Sequence, residues 1–189
     1  LIEKAEELCR LHANSFMPQQ FSNPANPAVH RATTAEEIWR DTGGKVDMLV
    51  AGYGTGGTLT GTSQALKARK PEIKTVAVEP EESRALEGGP VTPHKIQGIG
   101  PGFVPAIMDK GLIDEIFHVT SDEAIFMCRH AARAEGIPVG ISSGAALHAA
   151  LKIAARNDMT GKTIVVIIPS MAERYLSLPA FRDLGDEAA

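Results

Sequence analysis

A glycine-rich loop between a buried strand and a helix constrains the fold of this chain more than any other feature. The loop, Gly52-Tyr53-Gly54-Thr55-Gly56-Gly57-Thr58, follows Val46 to Ala51, a run that is nearly all apolar. Such a run is typical of a strand buried on both faces of a parallel sheet. A helix ending near residue 69 and a second short apolar strand, Thr75 to Glu79, complete the pattern. The segment 46–79 therefore predicts one βαβ unit.

Strands and helices alternate along the rest of the chain. The patterns predict further strands at 113–119, 139–141 and 163–168, and helices at 1–13, 27–31, 34–42, 120–135 and 142–156. Three segments match a capping box, in which Thr and Glu side chains satisfy the first helical amides: Thr33-x-x-Glu36, Thr34-x-x-Glu37 and Thr120-x-x-Glu123. We expect an α/β fold with a mainly parallel sheet flanked by helices, in a single domain over residues 1–189, with a frayed tail at 183–189.

Composition and charge argue against several classes of function. The net charge of −4 and the lack of a basic run give no sign of a nucleic-acid surface. No apolar stretch reaches the length that crosses a bilayer. The two cysteines lie far apart, at 9 and 128, which favours a reducing, cytoplasmic setting. The six histidines lack metal-ligand spacing, so we expect no metal.

The glycine loop supports two ligand interpretations, both of which use backbone amides and a helix dipole to bind phosphate. Gly52-x-Gly54-x-x-Gly57 matches the dinucleotide fingerprint, and Glu79 ends the next strand where a ribose-binding acid is expected. Alternatively, Gly54 to Thr58 form a cup for a single phosphate, to which two threonine hydroxyls donate. A plain turn without a ligand is the third interpretation, although four glycines cost backbone entropy. The loop alone does not separate the two ligands.

Six segments together resemble the cysteine synthases (O-acetylserine sulfhydrylases). They lie in that family's order and cover nearly the whole chain: Gln19 to Pro27, Glu37 to Trp39, Gly54 to Thr58, Pro93 to Gly100, Gly140 to Ala146 and Glu173 to Ser177. The resemblance implies the large domain of a fold type II pyridoxal-phosphate enzyme. It also implies synthesis of cysteine from O-acetylserine and sulfide by β-elimination and then β-addition, with the cofactor as the electron sink.

The resemblance also implies a role for individual residues. Gly54, Thr55, Gly56, Gly57 and Thr58 match the loop that binds the cofactor phosphate. Ser142 matches the residue that bonds the pyridine nitrogen, although it could instead cap the Ala-rich helix. Gln20 matches a residue that holds the substrate carboxylate, or else it caps a turn. Gly98 lies in a segment that lines the active-site entrance, or else it serves the backbone alone.

The chain departs from the family at three places. The Schiff-base lysine of the family lies in an N-terminal segment that is absent here, and none of the nine lysines has its context. We therefore expect an incomplete domain that is inactive alone, without the catalytic lysine. Tyr53 replaces a small aliphatic residue. Ala172 stands where a glycine is usual, which would cost roughly 1 kcal/mol if the backbone is left-handed there.

The resemblance suggests partners, and three other functions stay open. The family pattern implies a homodimer and serine acetyltransferase as a partner. A cystathionine β-synthase-like enzyme is the alternative within the same cofactor class. The dinucleotide fingerprint keeps an NAD-dependent oxidoreductase in consideration. The missing lysine keeps a truncated, non-catalytic paralogue in consideration.

Overall fold

The computed structural model describes residues 2–182, and its centre is a four-stranded parallel sheet in the order β3-β2-β1-β4. The strands are β1 (Val46–Gly52), β2 (Lys74–Pro80), β3 (Glu115–Val119) and β4 (Thr163–Val166). The helices are α1 (Ile2–Leu11), α2 (Ala25–Ala32), α3 (Thr34–Asp41), α4 (Gly57–Arg69), α5 (Ser121–Glu135), α6 (Ile141–Ala154) and α7 (Pro179–Arg182). The predicted α/β class is confirmed. Leu1 and the tail 183–189, which we expect to fray, lie outside the described residues.

The sheet is buried on both faces, as its apolar strands predict. Val50 and Val76 point into a core shared with α5 and α6, where Ala145 and Ala149 permit close packing. The neighbouring residues of the same strands point to the other face, where they pack with α4. No helix within residues 2–182 is both long and apolar enough to cross a bilayer.

Two predicted elements differ from the structure. The predicted strand at 139–141 is wrong: Val139 forms a single bridge with Met171, and Ile141 already begins α6. The predicted helix at 27–31 begins earlier, at Ala25. Pro27 fits inside its first turn because the first amides of a helix have no intrahelical acceptor.

Of the three predicted capping boxes, only the one at α5 forms. Thr120 accepts a hydrogen bond from the Glu123 amide, and the Glu123 carboxylate accepts one from the Thr120 amide. The capping boxes predicted at Thr33 and Thr34 are wrong. Helix α2 ends directly before α3, and its residues form hydrogen bonds with both threonine hydroxyls. Thr33 donates to the Val29 carbonyl over 2.8 Å, and the Thr34 hydroxyl lies 2.9 Å from His30 Nδ1.

Candidate cofactor site at the start of helix α4

The loop that leads into α4 leaves backbone amides open at the carboxyl edge of the sheet. The loop after β1 turns through Gly56, whose φ of 81° is left-handed, and no side chain caps the helix. Within residues 2–182, the amides of Gly54, Thr55 and Gly56 donate to no protein acceptor. Open amides and the positive end of a helix dipole together favour an anion.

Close neighbours explain why the loop consists of glycines. A Cβ on Gly54 would lie 2.7 Å from the carbonyl oxygen of Gly98. A Cβ on Gly56 would lie 2.6 Å from the sulfur of Met108. A Cβ on Gly57 would collide with the Asn26 side chain. The loop is therefore packed against neighbours on one side, and its amides stay accessible on the other.

Asn26 connects the glycine loop to the turn that carries Gln20. Its side-chain amide donates to the hydroxyl oxygen of Thr55 and to the backbone carbonyl of Gln20, each over 3.0 Å. The Gly57 amide also donates to the Thr55 oxygen, over 3.3 Å. Because that oxygen accepts both bonds, the Thr55 proton remains free to be donated to a ligand.

His30 orients the second hydroxyl of the loop. Its Nε2 lies 3.2 Å from the Thr58 hydroxyl, and its Nδ1 lies 2.9 Å from the Thr34 hydroxyl. Burial lowers the pKa of His30 below its ordinary value, so the ring is neutral at pH 7. If Thr34 donates to Nδ1, then Nε2–H donates to the Thr58 oxygen. In that arrangement the Thr58 proton is available to an anion.

A cleft of about 270 Å³ lies beside the loop and brings several predicted residues together. It is lined by Gln20, Phe21, Gly54, Thr55, Gly98, Ile99 and Pro101. None of these side chains is charged, so an anion here would be held by amides, hydroxyls and the helix dipole. Gly56 follows the lining residue Thr55 directly in the chain, and Thr58 lies in the first turn of α4.

Gly98 separates the glycine loop from Ser142. It has a φ of 94°, its carbonyl faces Gly54, and a Cβ added to it would lie 3.8 Å from Ser142 Oγ. Ser142 is 4% exposed, and its hydroxyl has no hydrogen-bond partner within residues 2–182. Gly140 occupies the capping position of α6, so the alternative that Ser142 caps this helix is wrong. The Ser142 hydroxyl and the open amides thus lie on either side of Gly98.

Glu79 cannot serve as the ribose-binding acid that the dinucleotide interpretation requires. Glu79 is completely buried, and one of its oxygens accepts a hydrogen bond from the Leu86 amide over 2.9 Å. Burial raises the pKa of this carboxyl. A carboxylate held inside the protein cannot bind the ribose hydroxyls of a nucleotide at the surface of the sheet.

Comparison with known proteins identifies the family. The sequence model of the pyridoxal-phosphate dependent enzymes matches residues 1–170. The chain belongs to this family. Cysteine synthase A of Escherichia coli K12 is 50% identical over 195 aligned residues, which cover 98% of this chain and 60% of that protein. The predicted resemblance to cysteine synthases is thereby confirmed, and the dinucleotide alternative is not supported.

Solved structures give the same result for the fold. The chain is similar to a cysteine synthase from Entamoeba histolytica, with a TM-score of 0.92, 46% identity, and coverage of 96% of this chain and 54% of that one. It is also similar to an O-acetylserine dependent cystathionine β-synthase from Helicobacter pylori, with a TM-score of 0.88, 42% identity, and coverage of 95% and 58%. The chain spans about 60% of the length of the curated relatives it matches.

The residues present fit pyridoxal phosphate. The open amides and two hydroxyls at the start of α4 suit its phosphate, and the unpartnered Ser142 hydroxyl suits a polar ring atom across Gly98. Sequence reasoning missed two contributors, Asn26 and His30. Asn26 lies inside the Gln19 to Pro27 segment, where no motif gives it a role of its own, and His30 belongs to no motif.

Ala172 carries none of the expected strain. Within residues 2–182, Gln19 is the one non-glycine residue with a positive φ, so the backbone at Ala172 is not left-handed. Ala172 begins a short 3₁₀ turn, and its amide donates to the Pro138 carbonyl over 2.7 Å. The expected cost of replacing glycine there is therefore absent.

Proposed function

We propose that the protein carrying this chain makes cysteine from O-acetylserine and sulfide, by β-elimination followed by β-addition, with pyridoxal phosphate as its cofactor. The observation that carries this proposal is the open start of α4, which lies across Gly98 from the Ser142 hydroxyl. The 50% identity to a cysteine synthase supports it.

Each residue of the site has a stated role in this proposal. The amides of Gly54, Thr55 and Gly56 and the hydroxyls of Thr55 and Thr58 bind the phosphate, and Gly57 lets the loop pack against Asn26. The bound cofactor supplies the electron sink for the reaction at the substrate. Ser142 bonds the pyridine nitrogen, and its neutral hydroxyl does not hold that nitrogen protonated as a carboxylate would. Gln20 binds the substrate carboxylate, and Gly98 keeps the entrance free of a side chain.

We propose that the lysine that carries the cofactor lies outside residues 1–189. No lysine lines the described part of the cleft. Lys67 and Lys70 pair with Asp114 and Asp47, and Lys110 donates to the Leu86 carbonyl. In this proposal residues 1–189 form a single but incomplete α/β domain of a cytoplasmic homodimer, with serine acetyltransferase as a partner.

The test uses the natural full-length protein. Purified protein is supplied with pyridoxal phosphate, O-acetylserine and sulfide, and cysteine is quantified. The cofactor is then fixed by borohydride reduction, and the modified lysine is mapped by mass spectrometry together with the intact mass. We expect cysteine formation and a modified lysine outside the nine in this chain. A protein with no cofactor adduct and no activity would instead be the non-catalytic paralogue.

A second acceptor is worth testing in the same assay. One structural relative is described as an O-acetylserine dependent cystathionine β-synthase. Homocysteine should therefore be offered in place of sulfide. Faster formation of cystathionine than of cysteine would favour this alternative over cysteine synthesis.

A further inference from the structure

Tyr53 lies in the middle of the glycine loop and is completely buried. Its three polar groups bond three different parts of the molecule. The Tyr53 amide donates to the Val78 carbonyl on β2 over 2.9 Å. The Tyr53 carbonyl accepts from the Gly100 amide over 2.8 Å. The phenol hydroxyl donates to the carbonyl of Phe103.

Two of these bonds reach the same segment, residues 98–103, which we call the strap. The strap has no helix or strand, and three of its residues are glycines with positive φ: Gly98 at 94°, Gly100 at 63° and Gly102 at 82°. Gly98, Ile99 and Pro101 line the candidate cleft. A segment with so much backbone freedom needs tethers to keep one position.

The tethers of the strap are few. Besides the two bonds to Tyr53, His94 Nε2 lies 3.0 Å from the Gly100 carbonyl. The ring of Phe103 contacts the ring of Phe21 at the opposite side of the cleft, with 5.1 Å between centroids and 60° between planes. The phenol hydroxyl of Tyr53 is therefore the side-chain donor that holds the far end of the strap.

We propose that Tyr53 is a positioning residue that fastens the strap against the glycine loop and so fixes the width of the cleft. A small aliphatic residue at position 53, as in the cysteine synthases that the chain resembles, offers no donor to Phe103. Hydrogen bonds would then hold the strap at Gly100 alone. Ile99 would stay packed in the core, and the C-terminal half would keep only the contact between the rings of Phe103 and Phe21. A looser strap should also release pyridoxal phosphate faster, and this second effect rests on the proposed function. The hydrogen bond between Tyr53 and the strap does not depend on that function.

The experiment compares hydrogen exchange in the natural full-length protein without cofactor. Tyr53→Phe removes the hydroxyl and keeps the ring in its apolar cluster with Leu59 and Leu86. Tyr175→Phe is the matched control, because its hydroxyl lies 3.1 Å from Ser170 Oγ, away from the strap. We expect about a tenfold faster exchange in peptides covering 98–104 for Tyr53→Phe, with α5 and α6 unchanged, and no such change for Tyr175→Phe.

Unchanged exchange in the strap, or an equal rise throughout the protein, would overturn the proposal. Tyr53→Val provides a second variant, which removes the ring together with the hydroxyl, and it should show the same local rise. The release rate of pyridoxal phosphate is then measured by absorbance and should rise several-fold in both Tyr53 variants. A local rise in exchange in a protein that binds no pyridoxal phosphate would refute the proposed function and leave the fastening intact.

Discussion

Helices α4 and α5 both start at the carboxyl edge of the sheet, and their first turns are built in opposite ways. At α5, Thr120 and Glu123 exchange hydrogen bonds, and the Ser121 amide donates to the Glu82 carboxylate over 3.0 Å. At α4, the capping position is Gly56, and no side chain caps the helix. The comparison shows that protein side chains close the start of α5, whereas no side chain caps the start of α4.

The glycines at the start of α4 and the glycine at the end of α5 also differ in their surroundings. The glycines before α4 are packed so tightly that a Cβ on Gly54 would meet a neighbouring backbone. Gly136, which ends α5, has open space around it. The glycines of the α4 loop thus serve a close approach of backbone, while Gly136 serves only its left-handed conformation.

The largest expected effect comes from closing the α4 start with a side chain. Gly54→Ala places a methyl group against the Gly98 carbonyl and displaces the loop, so the affinity for pyridoxal phosphate should fall by about 100-fold. Gly136→Ala is the control: it should cost about 1 kcal/mol of unfolding free energy and leave the affinity unchanged. Cofactor titration and urea unfolding measure the two quantities. Equal affinity losses in both variants would remove the distinction between the two glycines.

Removing one hydroxyl from each helix start should separate binding from stability. In the proposed site Thr58→Val deletes a donor to the charged phosphate, so the affinity for pyridoxal phosphate should fall about 10- to 100-fold. Thr120→Val breaks the capping box and should lower the free energy of unfolding by about 1 kcal/mol, with the affinity unchanged. The same titration and unfolding measurements apply. A loss of affinity in Thr120→Val as large as in Thr58→Val would break the comparison.

Acid should weaken the two starts at different pH values. Burial lowers the pKa of His30 from 6.5, so its stabilising contribution is complete above pH 6.5 and declines as the pH falls below it. The hydrogen bond from the Thr120 amide is the main cause that lowers the pKa of Glu123 from 4.5, so this contribution persists down to pH 4.5 and is lost below it. Hydrogen exchange without ligand, corrected for intrinsic rates, should show the α2–α4 contact loosening first. In His30→Gln, the rise in hydrogen exchange at the contact between α2 and α4 should no longer appear below pH 6.5.

The smallest effect is expected at the adjacent serines of α6. Ser142→Ala removes a hydroxyl without a protein partner in the described residues, so cofactor affinity should fall only about fivefold, with stability unchanged. Ser143→Ala removes a hydrogen bond to the Ser170 carbonyl, 3.1 Å long, and should lower stability instead. Absorbance titration and thermal unfolding distinguish the two. A loss of stability in Ser142→Ala together with a loss of affinity in Ser143→Ala would place the cofactor away from Ser142.

Local pattern predicted much of this architecture. The apolar runs of β1 and β2 indicated a parallel sheet, and the Thr120 box predicted the start of α5. Local pattern failed at Thr33 and Thr34, because the preceding helix competes for their hydroxyls. Such competition depends on the angle between two helices, which short motifs do not encode.

The candidate site was predicted only in part, for a similar reason. The sequence predicts the glycine loop because the strand, the loop and the helix are contiguous in the chain. Asn26 and His30 reach the loop from 29 and 28 residues away in the chain. Gly98 meets Ser142 through packing of segments that are separate in sequence. No local pattern fixes those distances, and the resemblance to a family indicated Gly98 and Ser142 where physical pattern alone did not.

A crystal structure of the natural full-length protein with pyridoxal phosphate would test the central claim most directly. The account predicts the phosphate within hydrogen-bond distance of the Gly54, Thr55 and Gly56 amides and of the Thr58 hydroxyl, with the ring extending past Gly98 to Ser142. A phosphate bound elsewhere, or a start of α4 whose amides are taken by protein groups, would contradict it.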